Sequence, residues 1–268
     1  MKNKNRSHFL DIAQMSTNQL LGLIDLSHDV KKNPKKYATV LSGKTLGLLS
    51  EKPSMRTRVS FEVGMTQLGG HVSVLNHQEV QLGRREEIED VSRVLSRYLD
   101  AIMIRTFTHE NLIKYSEFSD IPVINGLTDK SHPCQIIADL MSIEEKKGSL
   151  EDIKITYIGD GNNVCVSLIE ACDLLDIEIV VSCPRGYEPK TNSPYTVSSD
   201  PREAVLGAHV IYTDVWTSMG QEAENKKRIE VFQPYQVTLS LLNLADPNCI
   251  FMHCLPAHRG EEVSADVL

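Results

Sequence analysis

Thr45-Leu46-Gly47-Leu48-Leu49-Ser50, followed at once by Glu51-Lys52-Pro53-Ser54-Met55-Arg56-Thr57-Arg58, decides the architecture of this chain. The first six residues form a short apolar run of strand length, and Pro53 with Ser54 suits the entry to a helix. A strand that leads directly into a helix is half of a parallel crossover unit. The pattern recurs in both directions from this point. First-half strands are expected at Thr45–Ser50, His71–Leu75, Asp100–Arg105 and Pro122–Asn125, with helices over Thr57–Leu68, Glu87–Tyr98 and Glu110–Glu117 between them and Ser16–Val30 before them. A helix over Pro133–Lys147 ends at Lys146-Lys147-Gly148, where cations complement the helix dipole and Gly supplies the stop. Further strands are expected at Ile153–Gly159, Ile177–Cys183, His209–Thr213 and Cys249–His253, again separated by helical segments. The expected fold is α/β with two domains, 1–147 and 148–268, each a parallel sheet flanked by helices.

Composition agrees with that reading. At 268 residues the chain exceeds the usual single-core size, and 41% hydrophobic with 24% charged residues is ordinary for a globular protein. A net charge of −8 offers no electrostatic footprint for nucleic acid or for an anionic membrane. The one basic run, Lys31 to Lys36, is broken by Asn33 and Pro34 and reads as a solvated helix end. No apolar stretch is long enough for a signal peptide or a membrane span, so a cytoplasmic protein is expected. Six cysteines include no C-x-x-C pair and lie mostly in apolar patterns, which argues against disulfides and zinc.

Open parallel sheets bind ligands outside the carboxyl ends of their strands, and the residues just after each expected strand are polar here. Ser54 and the backbone N–H groups of a helix start can face an anion, with guanidinium groups from Arg56 and Arg58 nearby. Two residues apart on a helix, those arginines point in different directions, so one is expected to reach a ligand and the other to brace; Arg56 is taken as the contact. Arg105 puts a permanent cation at the end of the apolar strand Ala101-Ile102-Met103-Ile104. His132 and Gln135 open a helix around Pro133, where an imidazole and an amide suit a carbonyl and an NH2 group. Gly159-Asp160-Gly161-Asn162-Asn163-Val164 follows a strand like a dinucleotide fingerprint, but Val164 stands at the third Gly position and the next strand ends at Cys183 rather than an acid. NAD is therefore disfavoured. Asp214 opens a polar loop through Gly220 that could hold an amino acid's ammonium and carboxylate. Cys254, in His253-Cys254-Leu255-Pro256, reads as a thiol nucleophile, a substrate-contacting thiol or a structural residue.

Together these motifs resemble the aspartate/ornithine carbamoyltransferase family over essentially the whole chain. Ser54-Met55-Arg56-Thr57-Arg58 is similar to its carbamoyl phosphate signature, and His132-Pro133-Cys134-Gln135 to its second marker. Asp214 with Ser218-Met219-Gly220, plus His253-Cys254-Leu255-Pro256, resembles the ornithine branch. The resemblance implies an active site in the cleft between two domains, no cofactor and no metal. It implies that Ser54, Met55 through its backbone, Arg56, Thr57 and Arg105 hold carbamoyl phosphate, with His132 and Gln135 at its carbamoyl end. Asn163, Asp214, Ser218 and Met219 would hold ornithine, and Cys254 and Leu255 would lie beside the reacting groups. Gln81 matches a loop that reaches a neighbouring subunit's site, so a homotrimer is expected.

Three features depart from the family pattern. Arg85 and Glu87 stand where Gly and Pro are common, Cys165-Val166 is unusual after Asn163-Val164, and a C-terminal helix with a further carbamoyl phosphate arginine falls past Leu268, so the sequence reads as truncated there. Transfer to putrescine or an N-acylated ornithine, an inactive ligand-binding form, and a cysteine hydrolase built on Cys254 are the alternatives.

Overall fold

The computed structural model describes residues 7–76, 80, 86–217 and 222–268. Two compact units emerge, Met1–Ala138 and Asp139–Leu268.

In the first unit, α1 (Thr17–Lys32) and α2 (Pro34–Tyr37) precede β1 (Thr45–Ser50), α3 (Met55–Gln67), β2 (His71–Leu75), α4 (Ile88–Leu95), β3 (Ala101–Arg105), α5 (His109–Phe118) and β4 (Val123–Leu127). Ser16 starts α1 with a reciprocal capping box to Gln19, a contribution of about 1 kcal/mol. The sheet is wholly parallel, in the order β2-β1-β3-β4. Leu49, Ile102, Ile104, Leu112 and Tyr115 share one buried cluster, while Leu46, Leu48 and Met103 pack with Phe61 and Met65 in another. Both faces of the central strands are thereby covered, which explains their unbroken apolar runs.

The second unit takes over within α6 (Pro133–Lys147) and continues through β5 (Lys154–Ile158), α7 (Asn163–Leu175), β6 (Glu178–Ser182), β7 (Thr196–Ser198), α8 (Pro201–Ala204), β8 (Val210–Thr213), α9 (Asn225–Phe232), α10 (Leu239–Leu242) and β9 (Ile250–His253). Its sheet is also parallel, in the order β7-β6-β5-β8-β9. Residues 164–172 of α7 are all buried, so Cys165 and Cys172 serve as packing residues in a helix enclosed on every side. All six cysteines are free thiols.

Each expected strand is present within a residue or two, and β4 runs on to Leu127 instead of stopping at Asn125. Pairing with β3 makes this extension, since Arg105 stands opposite Leu127 beyond a register shift at Ile104 and Arg105. The N-terminal segment covers the strand's other edge, with Phe9 paired to Ile124 and buried Asn125 donating to the Leu10 carbonyl at 2.7 Å. Strand β7 was not expected, because its three residues lie in a Pro- and Ser-rich stretch and owe their extension to pairing with β6.

In both sheets the chain moves to one side of its first strand and then returns to the other. That reversal falls between β1 and β3 and between β5 and β8, and it opens a crevice at their carboxyl ends. Register makes the two ends level. Ser50 is opposite Arg105, Ile158 is opposite Thr213, and Thr213 is opposite His253.

Candidate active site

The first unit's crevice is an anion site in form. Ser54 caps α3: its Oγ accepts from the Thr57 N–H at 3.3 Å and its hydroxyl donates to Thr57 Oγ1 at 2.9 Å. Arg105 is only 5% exposed, and its Nη1 lies 3.5 Å from the same Thr57 oxygen. Thus the helix start and the end of β3 converge on one hydroxyl. Met55 and Arg56 are exposed on the first turn, while Arg58 Nε is engaged by Glu62 at 2.9 Å. His132 and Gln135 are half-buried at the start of α6. Gln81 lies outside the described residues.

Burial, reinforced by the Arg105 guanidinium, pushes the His132 imidazole down to about 3. At neutral pH it is uncharged and presents one N–H donor and one acceptor. Its folded value lies below the ordinary 6.5, so protonation favours the unfolded chain. The stabilising contribution is complete above about pH 6.5 and is lost as pH falls toward 3. We expect His132→Gln to lose less thermal stability than the parent between pH 6 and pH 4; parallel melting curves across that range would contradict the assignment.

Sequence reasoning passed over Lys52. It is 4% exposed, ion-paired with Asp129, and its ammonium stands 4.3 Å from the Phe107 ring centre. A buried lysine needs such partners, because desolvating an ammonium alone is costly. Its place directly after β1 was the available signal.

The second unit gathers Asp214, Cys254 and Asn162. Asp214 is 7% exposed, with Oδ1 accepting from the Cys254 thiol at 3.0 Å and the Val215 N–H at 2.8 Å. Its Oδ2 accepts from Asn162 Nδ2 at 2.7 Å. Burial, then the Asp214 carboxylate, holds the Cys254 thiol well above the ordinary range, so it is a hydrogen-bond donor and not a thiolate. This removes the chemical basis of the cysteine hydrolase reading. Asn163 opens α7 beside this cluster, and Ser218 and Met219 lie outside the described residues.

Leu255, 47% exposed, adopts a left-handed backbone with φ of 58°. Its N–H donates to His253 Nδ1 at 2.8 Å, while His253 Nε2 lies 3.0 Å from Glu262 Oε1. Asp214, His253 and Cys254 bring ligand-type atoms within 4.8 Å of one another, yet both ring nitrogens of His253 are already engaged in these contacts.

The glycine-rich turn serves packing. A Cβ on Gly161 would fall 2.2 Å from the Pro189 nitrogen, so only glycine lets the turn approach residues 187–189. Asp160 pairs with buried Arg228 at 2.5 Å, and Arg228 Nε also donates to the Trp216 carbonyl at 2.5 Å. Arg228 therefore ties the loops after β5 and β8 to α9, a long-range role invisible in local sequence.

Two parallel α/β units, one with a buried arginine beside a helix cap and one with a buried acid beside a thiol, each at the switch point of its sheet, place the chain in the class of α/β proteins that bind ligands at the carboxyl ends of their strands. The chain matches the family described as "Aspartate/ornithine carbamoyltransferase, carbamoyl-P binding domain" over residues 7–145, and the corresponding "Asp/Orn binding domain" over 151–268. It is 49% identical to the ornithine carbamoyltransferase of Pseudomonas syringae pv. tomato, covering 98% of this chain and 89% of that protein. It is 48% identical to the anabolic enzyme of Pseudomonas aeruginosa, covering 97% and 88%. Among solved structures, the ornithine carbamoyltransferase of Pyrococcus furiosus superposes with a TM-score of 0.92 at 46% identity, covering 97% of this chain and 88% of that one. The Thermus thermophilus enzyme gives 0.89 at 40% identity, covering 96% and 88%. The chain belongs to the aspartate/ornithine carbamoyltransferase family and is a carbamoyltransferase. Among the described residues, no helix is long and apolar enough to cross a membrane.

Proposed function

We propose that this enzyme transfers the carbamoyl group of carbamoyl phosphate to the δ-amine of L-ornithine, yielding L-citrulline and phosphate in arginine metabolism. The 49% identity to an ornithine carbamoyltransferase over 98% of the chain carries the reading. Residues 1–147 form the carbamoyl phosphate domain and 148–268 the ornithine domain. Ser54, the Met55 backbone, Arg56, Thr57 and Arg105 bind the phosphate, helped by Gln81 of a neighbouring subunit. His132 and Gln135 take the carbamoyl oxygen and nitrogen. Asn163, Asp214, Ser218 and Met219 hold ornithine's α-ammonium and carboxylate, and Cys254 and Leu255 border the reacting centre. The enzyme acts in the cytoplasm.

The chemistry needs proximity and charge stabilisation. Ornithine's δ-amine resembles lysine, with a reference pKa of about 10.4, so it must lose a proton before its lone pair attacks the carbonyl carbon. A C–N bond forms, the tetrahedral oxyanion collapses, and the C–O bond to phosphate breaks. The departing phosphate accepts the amine's proton. Arg105 and the neutral His132 donate toward the developing oxyanion and leaving group, where fixed donors accelerate reaction most.

An amine panel tests the acceptor. With carbamoyl phosphate saturating, ornithine should give citrulline at a kcat/KM above that of putrescine and N-acetylornithine; faster turnover of putrescine would overturn the assignment.

The homotrimer rests on the outer face of α3. Met55, Val59 and Val63 recur every four residues and are 72%, 49% and 47% exposed, an apolar stripe that a second copy of the chain can cover. Val63→Glu should convert trimer to monomer by light scattering and reduce activity, because the neighbour's Gln81 is then lost. A trimer of unchanged mass would refute this placement.

A further inference from the structure

We propose that Asn162 is a positioning and specificity residue for the amino-acid substrate, orienting the Asp214 carboxylate that receives its α-ammonium; this rests on the role given to Asp214 above. Asn162 is the N-cap of α7, and its Oδ1 accepts from the Val164 N–H at 3.0 Å, the Cys165 N–H at 3.1 Å and the Tyr157 hydroxyl at 3.2 Å. The two backbone donors settle which end of the amide is oxygen, since a reversed amide would set its N–H groups against the N–H groups of Val164 and Cys165. Its NH2 group is thereby turned onto Asp214 Oδ2 at 2.7 Å.

Tyr157 is fully buried in a sheet strand and stacks on Tyr212 with ring centres 5.8 Å apart. Burial holds its phenol well above the ordinary range, so it remains a proton donor to Asn162. The rigid order is Tyr157 to Asn162 to Asp214, with the Cys254 thiol donating to the other carboxylate oxygen.

Helix capping alone does not call for asparagine. Asp and Ser cap about as well, because capping uses only a side-chain oxygen. What Asn adds is a neutral donor on the opposite side, aimed at an acid. An aspartate at this position would keep the cap and set a second carboxylate against Asp214, where the like charge repels it at pH 8 and makes one of the pair take up a proton more readily as pH falls.

Asn162→Asp and Asn162→Ser, with Asp214→Asn as reference, separate these roles in the full chain. The expected result for Asn162→Asp is a melting temperature close to the parent, an ornithine KM raised at least about tenfold at pH 8, and a carbamoyl phosphate KM within about twofold. The ornithine defect, taken as a ratio to the parent at each pH, should shrink as pH falls toward 6, because the introduced carboxyl regains a donor once it is protonated. Asn162→Ser should show the raised KM without that recovery. An unchanged ornithine KM in Asn162→Asp, or a parallel rise in both KM values with a lowered melting temperature, would overturn the proposal while Asp214→Asn remains impaired. If Asp214→Asn itself leaves ornithine KM unchanged, the ornithine role of Asp214 falls and this inference with it.

Discussion

Arg105→Ala should lower kcat/KM for carbamoyl phosphate by two to three orders of magnitude, corresponding to about 3–4 kcal/mol of transition-state stabilisation. Arg105 sits at the end of β3, level with Ser50, and meets the cap hydroxyl pair Ser54 and Thr57. At 5% exposure, its charge acts with little water to screen it. A charge-assisted contact to a phosphate in such a place is about twice as strong as a neutral hydrogen bond. Arg105→Met, which retains most of the side-chain volume, should show the same kinetic loss with a far-ultraviolet circular dichroism spectrum like the parent's. The His132 imidazole should titrate at a higher pH in both variants, since Arg105 is the second cause of its depression after burial. A loss below tenfold in both variants would remove Arg105 from the phosphate site.

Glu262→Ala is the change expected to damage stability most, by about 1–3 kcal/mol, because it leaves the buried His253 Nε2–H and the His258 N–H without an acceptor. The His253 and Glu262 side chains are 2% and 0% exposed, and Glu262 Oε1 accepts from the His258 N–H at 2.6 Å as well as meeting His253 Nε2 at 3.0 Å. Through His253 Nδ1 the same group holds the Leu255 N–H and so the left-handed turn after Cys254. Urea unfolding should show the loss as a lower midpoint at unchanged slope. A shift of less than about 1 kcal/mol would mean that the turn is held by other contacts.

Much of the fold was legible because its signals are local. Apolar runs such as Ala101–Ile104 are strands buried on both faces, and caps such as Ser16 and Ser54 satisfy donors only two or three residues away. The candidate ligand groups were legible for a related reason: they follow strands, and the carboxyl ends of parallel strands are where such sheets bind ligands. Lys52, Arg228 and Glu262 were not, since each matters through partners far along the chain or through burial that no local pattern records. Asp129 is the partner of Lys52, and Asp160 and the Trp216 carbonyl are those of Arg228.

By itself, then, the sequence determined the alternation of strand and helix, the family, and the polar residues at Ser54–Arg58, Arg105, His132 and Asp214. Only the tertiary structure decided that Arg105 meets Thr57, that Cys254 is a protonated donor to Asp214, and that the Asn162 amide donates to the same carboxylate. The physical reason is register: parallel pairing sets Ser50 against Arg105 and Thr213 against both Ile158 and His253, so residues tens of positions apart become neighbours through hydrogen bonds that every backbone can make.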